Sequence, residues 1–282
     1  MPSSTVRAAD APTIAIKSGE KIAFLGDSIT QQGSSSPAGY VRLVIRGWET
    51  NGVAATPIPA GISGHKSNDM LKRLDRDVLS QQPDWMTLSC GVNDVWHGEK
   101  GVPLAEYKIN ITAIVDKAQA AGIKVMILTA TMIGEDQNLP NNQKLIAYND
   151  FLRSLAQEKN CLLADLNADM QTAVAAGKKT APHGELTAPV DGVHMNALGN
   201  QVMAASILRA FGLSPAQVEK TRESWSDIPA TMQLAGKVGL SMRQYNQLRL
   251  VAAQQNRSVA DLLNAELHKS VDSLLTEAAD KD

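Results

Sequence analysis

The sequence predicts an α/β fold, a doubly wound parallel sheet with helices on both faces. Three observations predict it. Short apolar runs without polar alternation recur between Lys21 and Gly212, as in strands buried on both faces. Longer stretches with apolar residues at helical spacing separate them, which makes βαβ units with right-handed crossovers. The 282 residues leave room for one large α/β domain of about 200–250 residues and an appendage.

Ile22 to Leu25 form the first buried strand. Gly26 ends it, and Asp27, Ser28 and Thr30 follow as residues suited to turns and caps. A serine at the carboxyl end of such a strand sits at the rim where open sheets bind ligands. Gln31–Gly39, rich in Ser and Gly, reads as a loop. Tyr40–Thr50 is a helix with Val41, Val44, Ile45 and Trp48 inward, ended by Asn51-Gly52. Val53–Pro59 is the second strand, although Pro57 and Pro59 speak against it. The loop Gly61-Ile62-Ser63-Gly64 leads to a helix over Asn68–Leu79, with Leu71, Leu74 and Val78 on one face.

Trp85–Ser89 is the third strand, followed by Gly91-Val92-Asn93-Asp94. Leu104–Ala121 is a helix with Tyr107, Ile111, Ile114, Val115 and Ala118 inward, stopped by Gly122. Val125–Thr129 is the fourth strand, Leu145–Glu158 a helix and Cys161–Leu166 the fifth strand. Leu198–Phe211, with Val202, Ala205 and Leu208 inward, is the last helix of the sandwich, closed by Gly212.

Composition removes several function classes. A formal net charge of -2 and a pI near 6.2 argue against a nucleic-acid or anionic-membrane surface. No apolar run reaches the roughly 18 residues of a membrane span. Cys90 and Cys161 make neither a disulfide framework nor a metal cluster. In a sheet ordered 2-1-3-4-5 they fall on non-adjacent strands, as small buried hydrophobes. Met1–Pro12 has no apolar core of the signal-peptide kind, but Ala8-Ala9-Asp10-Ala11-Pro12 resembles the stretch after a signal cleavage site and points to export.

An ester-cleaving serine needs a base, a carboxylate to orient the base, and donors for the developing oxyanion. Asp191-Gly192-Val193-His194 offers carboxylate and base in one turn, with the carboxylate able to fold back onto Nδ1 and leave Nε2 for Ser28. Gly64 presents a backbone N–H without the obstruction of a Cβ, and Asn93 presents a side-chain amide. Gly61 is a near neighbour of Gly64, which fits better because the polar run His65-Lys66-Ser67-Asn68 follows it.

Gly26-Asp27-Ser28, Gly61–Gly64, Gly91–Asp94 and Asp191–His194 resemble, in order, the four blocks of the SGNH (GDSL-type) hydrolase superfamily, over roughly Lys21 to Gly212. The resemblance implies a flavodoxin-like three-layer α/β/α sandwich with a five-stranded parallel sheet. It implies Ser28 as nucleophile, His194 as base, Asp191 as orienting acid and an oxyanion hole from Ser28, Gly64 and Asn93, with no metal or cofactor. Similar family members include carbohydrate acetylesterases, so a short acyl ester, acetyl on a carbohydrate, is the expected substrate. The rim loops Ile133–Asn142 and Lys178–Val190 are short and mostly polar, in keeping with that. A lipase, thioesterase or arylesterase of the same superfamily and a non-catalytic ester- or glycan-binding module are the alternatives.

Asp27 and Asp94 read as turn-stabilising groups with local hydrogen bonds. Trp96 and His97 are placed to line the substrate cleft, His65 is surface or substrate-facing, and His183 is solvated. The domain plan is a tail over 1–20, the hydrolase domain over 21–213 and a helical extension over 214–282. In the extension Tyr245, Leu248 and Ala252 form one stripe. Ser258–Asp261 resembles a capping box with Asp for Glu, opening a helix with Val259, Leu262, Leu263, Leu267, Val271 and Leu274 inward. Val238–Leu274 faintly resembles a ribbon-helix-helix unit, but its acids and bases balance and the electrostatic footprint of duplex binding is missing. These helices are expected to pack on the hydrolase domain or on a second copy of the chain.

Overall fold

A computed structural model describes residues 14–180, 186–188, 191–229 and 241–279, without the side chains of 178–180, 242, 245 and 260. His183 and the Tyr245 side chain lie outside the described residues. Five strands, β1 (Lys21–Gly26), β2 (Thr56–Gly61), β3 (Trp85–Ser89), β4 (Lys124–Leu128) and β5 (Leu162–Ala164), pair in parallel in the order β2-β1-β3-β4-β5. This is the expected sandwich. β1 lies inside the sheet with Ile22, Ala23, Phe24 and Leu25 buried, which is why its sequence shows no alternation.

The second strand begins at Thr56, later than expected, and includes both prolines. Thr56 and Ile62 donate their N–H groups to Glu20 and Gly26, toward β1. Successive residues alternate, so the nitrogens of Pro57 and Pro59 face away from the sheet, where no ladder bond is lost.

The helices of the first part are α1 (Ser28–Ser35), α2 (Tyr40–Thr50), α3 (Ser67–Asp77), α4 (Val92–Trp96), α5 (Leu104–Ala120), α6 (Pro140–Glu158), α7 (Leu166–Thr180), α8 (Ala197–Ala210) and α9 (Pro215–Trp225). α2, α7, α8 and α9 pack as one layer and α3, α5 and α6 as the other. The predicted Gln31–Gly39 loop is replaced by α1 and a short turn. α1 has no apolar stripe, so the sequence hid it; the Asp27 carboxylate starts it by accepting the Ile29 N–H at 2.9 Å. α6 begins earlier than expected, with Pro140 in its first turn, where no intrahelical N–H bond is lost.

The aromatic centre of one layer is Phe211, met edge-on by Trp48 at 5.0 Å and Trp85 at 5.1 Å. Cys90 is buried and Cys161, just ahead of β5, is half-buried; both are free thiols.

The chain divides into two compact units, Met1–Leu234 and Ala235–Asp282. α9, which the sequence places in the C-terminal extension, packs on α2 and α8. Its Trp225 is buried and donates Nε1–H to the Leu43 carbonyl at 3.1 Å. The second unit holds α10 (Met242–Gln254) and α11 (Val259–Ala279), packed on each other. Ser258 and Asp261 form the expected reciprocal cap. Of the α11 residues expected inward, Leu262 is buried, whereas Leu263, Leu267, Val271 and Leu274 are exposed.

Candidate active site

β1 delivers Ser28 to the carboxyl edge of the sheet as the first residue of α1. The first N–H groups of a helix have no intrahelical acceptor, so the Ser28 N–H is an orphan donor beside its own hydroxyl. Asp191 and His194 arrive on the turn ahead of α8. Asp191 Oδ1 accepts the N–H groups of Val193 at 2.8 Å and His194 at 3.0 Å, curling the turn around the carboxylate. Its Oδ2 lies 2.6 Å from His194 Nδ1, and His194 Nε2 lies 2.8 Å from Ser28 Oγ. The structure thus brings Ser28, His194 and Asp191 into one hydrogen-bonded line.

The charge state of Asp191 sets the tautomer. Burial pushes its carboxyl upward, but hydrogen bonds from the His194 ring and the Val193 and His194 N–H groups outweigh this and hold it below the usual carboxylate range. An ionised carboxylate only accepts, so Nδ1 carries the hydrogen, and in the neutral ring this leaves Nε2 as the acceptor facing the Ser28 hydroxyl.

The turn is braced by a group the sequence reading missed. Glu135, after β4, accepts the Leu186 N–H and the Thr187 N–H at 2.9 Å and hydroxyl at 3.2 Å. The Gly134 N–H also donates to the Gly192 carbonyl at 2.8 Å.

Asn93, on α4, is buried, donates Nδ2–H to the His65 carbonyl at 3.1 Å and has Oδ1 3.2 Å from His97 Nε2. An amide nitrogen has two hydrogens, so one is left over from the His65 bond. Gly64 precedes His65, with φ +77 and open space where a Cβ would stand. Gly61 differs: a Cβ there would come within 2.3 Å of the Gln31 nitrogen, so its role is close packing against α1. Trp96 is 37% exposed, its ring 5.7 Å from that of His97.

Both extra acids are buried structural groups. Asp27 caps α1, and burial pushes its carboxyl up to about 6. Asp94 accepts the Ser67 N–H at 3.0 Å and hydroxyl at 2.6 Å, and burial raises it too.

Arg73 was also missed. Of the residues expected on one face of its helix, Leu74 and Val78 are buried and Leu71 is partly buried against the core; the buried set also takes in Ser67, Met70 and Arg73. Its spacing of three from Met70 was the available signal. Its partners are His65, Ala60, Asp77 and Gly26. Among the described residues, no group of three or more His, Cys, Asp or Glu is placed to hold a metal ion.

Residues 24–202 match the GDSL-like Lipase/Acylhydrolase family, well over half of the chain. The chain belongs to this family. It is accordingly a carboxylic ester hydrolase. An acetylxylan esterase of Geobacillus stearothermophilus is 29% identical over 216 residues, which span 70% of this chain and 96% of that protein. The crystal structure of the acetyl xylan esterase AlAXEase aligns with a TM-score of 0.61 at 34% identity, covering 67% of this chain and 98% of its own. That of Axe2, an acetylxylan esterase from Geobacillus stearothermophilus, aligns with a TM-score of 0.63 at 27% identity, covering 71% and 97%. Solved forms of Axe2 include catalytic mutants in which a serine, an aspartate or a histidine is replaced by alanine.

Proposed function

We propose that this GDSL-family esterase removes acetyl groups from carbohydrate esters, with Ser28 as nucleophile, His194 as general base and acid, and Asp191 as the orienting acid. The observation that carries the reading is the 2.8 Å approach of His194 Nε2 to Ser28 Oγ, with Asp191 fixing the far side of the ring. Support for the acetyl-carbohydrate substrate comes from the acetylxylan esterases that match most of this chain. The sequence of the Ile133–Asn142 loop, short and mostly polar, agrees with a short acyl group.

In the first half-reaction Ser28 Oγ bonds to the acyl carbon while its proton passes to His194 Nε2. The carbonyl oxygen becomes an oxyanion, for which the donors are the N–H groups of Ser28 and Gly64 and the free hydrogen of Asn93 Nδ2. Collapse breaks the bond to the sugar oxygen, which leaves with the proton from His194. A water then repeats the sequence on the acyl-enzyme, giving acetate and restoring Ser28. Asp191 keeps the Nδ1 proton throughout and stabilises the imidazolium.

The test is a p-nitrophenyl ester series of rising acyl length, run beside acetylated xylooligosaccharides. The expected kcat/KM is highest for acetyl and falls with each added carbon pair, with acetate released from the oligosaccharides. A preference for long acyl chains would favour the lipase or thioesterase alternative.

A further inference from the structure

Arg73 is a charged side chain only 4% exposed, and the proposed chemistry makes no use of it. A guanidinium is costly to bury unless its donors are matched, and here they are spread over three segments of chain. Nη2 donates to the Gly26 carbonyl at 2.8 Å, two residues before Ser28. Nη1 donates to the Ala60 carbonyl at 2.9 Å, at the head of the Gly61–Gly64 loop, and to Asp77 Oδ2 at 2.9 Å. Nε donates to His65 Nδ1 at 3.0 Å, at the foot of the same loop. The His65 carbonyl in turn accepts the Asn93 amide at 3.1 Å.

Each segment that carries an oxyanion donor is therefore tied to one guanidinium. The Ser28 segment is held through Gly26, the Gly64 segment at both ends, and Asn93 through the His65 backbone. A Lys at this position would bring the charge without the planar fork that reaches all of these acceptors.

We infer that Arg73 is the positioning residue of the oxyanion hole, setting the mutual spacing of the Ser28 N–H, the Gly64 N–H and the Asn93 amide. The inference rests on the assignment of those three donors to the hole. Oxyanion donors act only when charge develops, so misplacing them lowers kcat and spares ground-state binding. Arg73 does not touch substrate; its effect passes through the donors, and donors acting as a unit give non-additive losses.

The experiment is a double-mutant cycle on the full chain with Arg73→Lys and Asn93→Ala, measuring kcat and KM for a small acetyl ester and the melting temperature of each variant. Arg73→Lys is expected to lower kcat about 10-fold or more with KM within about 3-fold of the parent. In the Asn93→Ala background the same change is expected to cost less than about 3-fold, because the hole is already disrupted. Multiplicative losses, or a normal kcat in folded Arg73→Lys, would overturn the role of Arg73. An unchanged kcat in Asn93→Ala alone would instead overturn the assignment of the hole. If Arg73→Lys does not fold, His65→Ala takes its place in the cycle. His65 is half-buried in a loop, and its loss releases the Nε tie while keeping the carbonyl. Additive effects there overturn the inference equally.

Discussion

The Ser28 hydroxyl and the His194 ring nitrogen Nε2 meet at 2.8 Å across 166 positions of chain. One comes from the end of β1, the other from the turn before α8, so the contact exists only when the sandwich is closed. Ser28→Ala is expected to remove hydrolysis and leave the melting temperature within a few degrees, since a single hydroxyl hydrogen bond contributes only about 1 kcal/mol. His194→Ala should match it in damage, and Asp191→Asn should cost up to about 10⁴ in kcat by spoiling the tautomer. Steady-state kinetics on purified, folded variants decide; near-parental activity in Ser28→Ala would remove the nucleophile assignment.

The two loop glycines are expected to respond differently to a methyl group. Gly61→Ala drives a Cβ to 2.3 Å from the Gln31 backbone and should destabilise the fold or displace α1. Gly64→Ala meets no neighbour but holds an L-residue at φ +77, a backbone strain of about 1–2 kcal/mol. Thermal melts beside kcat separate them: Gly64→Ala should fold and turn over more slowly, Gly61→Ala should lose stability first.

Asp27 gives a pH signature in stability. Burial lifts its carboxyl from the ordinary 3.8 to about 6, so between those values the folded chain keeps a proton that the unfolded chain has released. Stability therefore falls as pH rises through that window, and the cost is fully present above about 6. It is on the order of 3 kcal/mol at pH 7. Asp27→Asn removes the ionisation and keeps an acceptor for the Ile29 N–H. The variant should melt higher than the parent at pH 7.5, and the difference should close near pH 4. A constant difference across that range would contradict the account.

Truncation tests the placement of α9. A chain ending at Leu213 loses buried Val218, Thr221 and Trp225 and should aggregate or melt much lower. A chain ending at Leu234 retains them together with Ser28, Asp191 and His194, and should hydrolyse a small ester. An inactive but well-folded 1–234 chain would place part of the active site in the second unit.

Much of this was readable in the chain, and for physical reasons. β1 and β3 are buried on both faces, so their apolar runs stand out. Ser28, Asp191 and His194 stood out because a nucleophile, a base and an acid are distinctive residue types at turn positions. α1 was hidden because it is held by a cap and by buried Ser28 and Thr30 rather than by an apolar stripe. Arg73 and Glu135 were hidden for another reason. The backbone groups they hold lie far along the chain, and the one local signal, the spacing of Arg73 from Met70, does not tell which tertiary neighbours will match it.

The two margins of the sheet bear on how this protein can associate with its own kind. β2 offers two proline nitrogens at consecutive outward positions, and β5 is only three residues long. An incoming strand finds no N–H at Pro57 or Pro59 on the first margin and only a short ladder at the second. Both margins therefore disfavour growth of the sheet by strand addition.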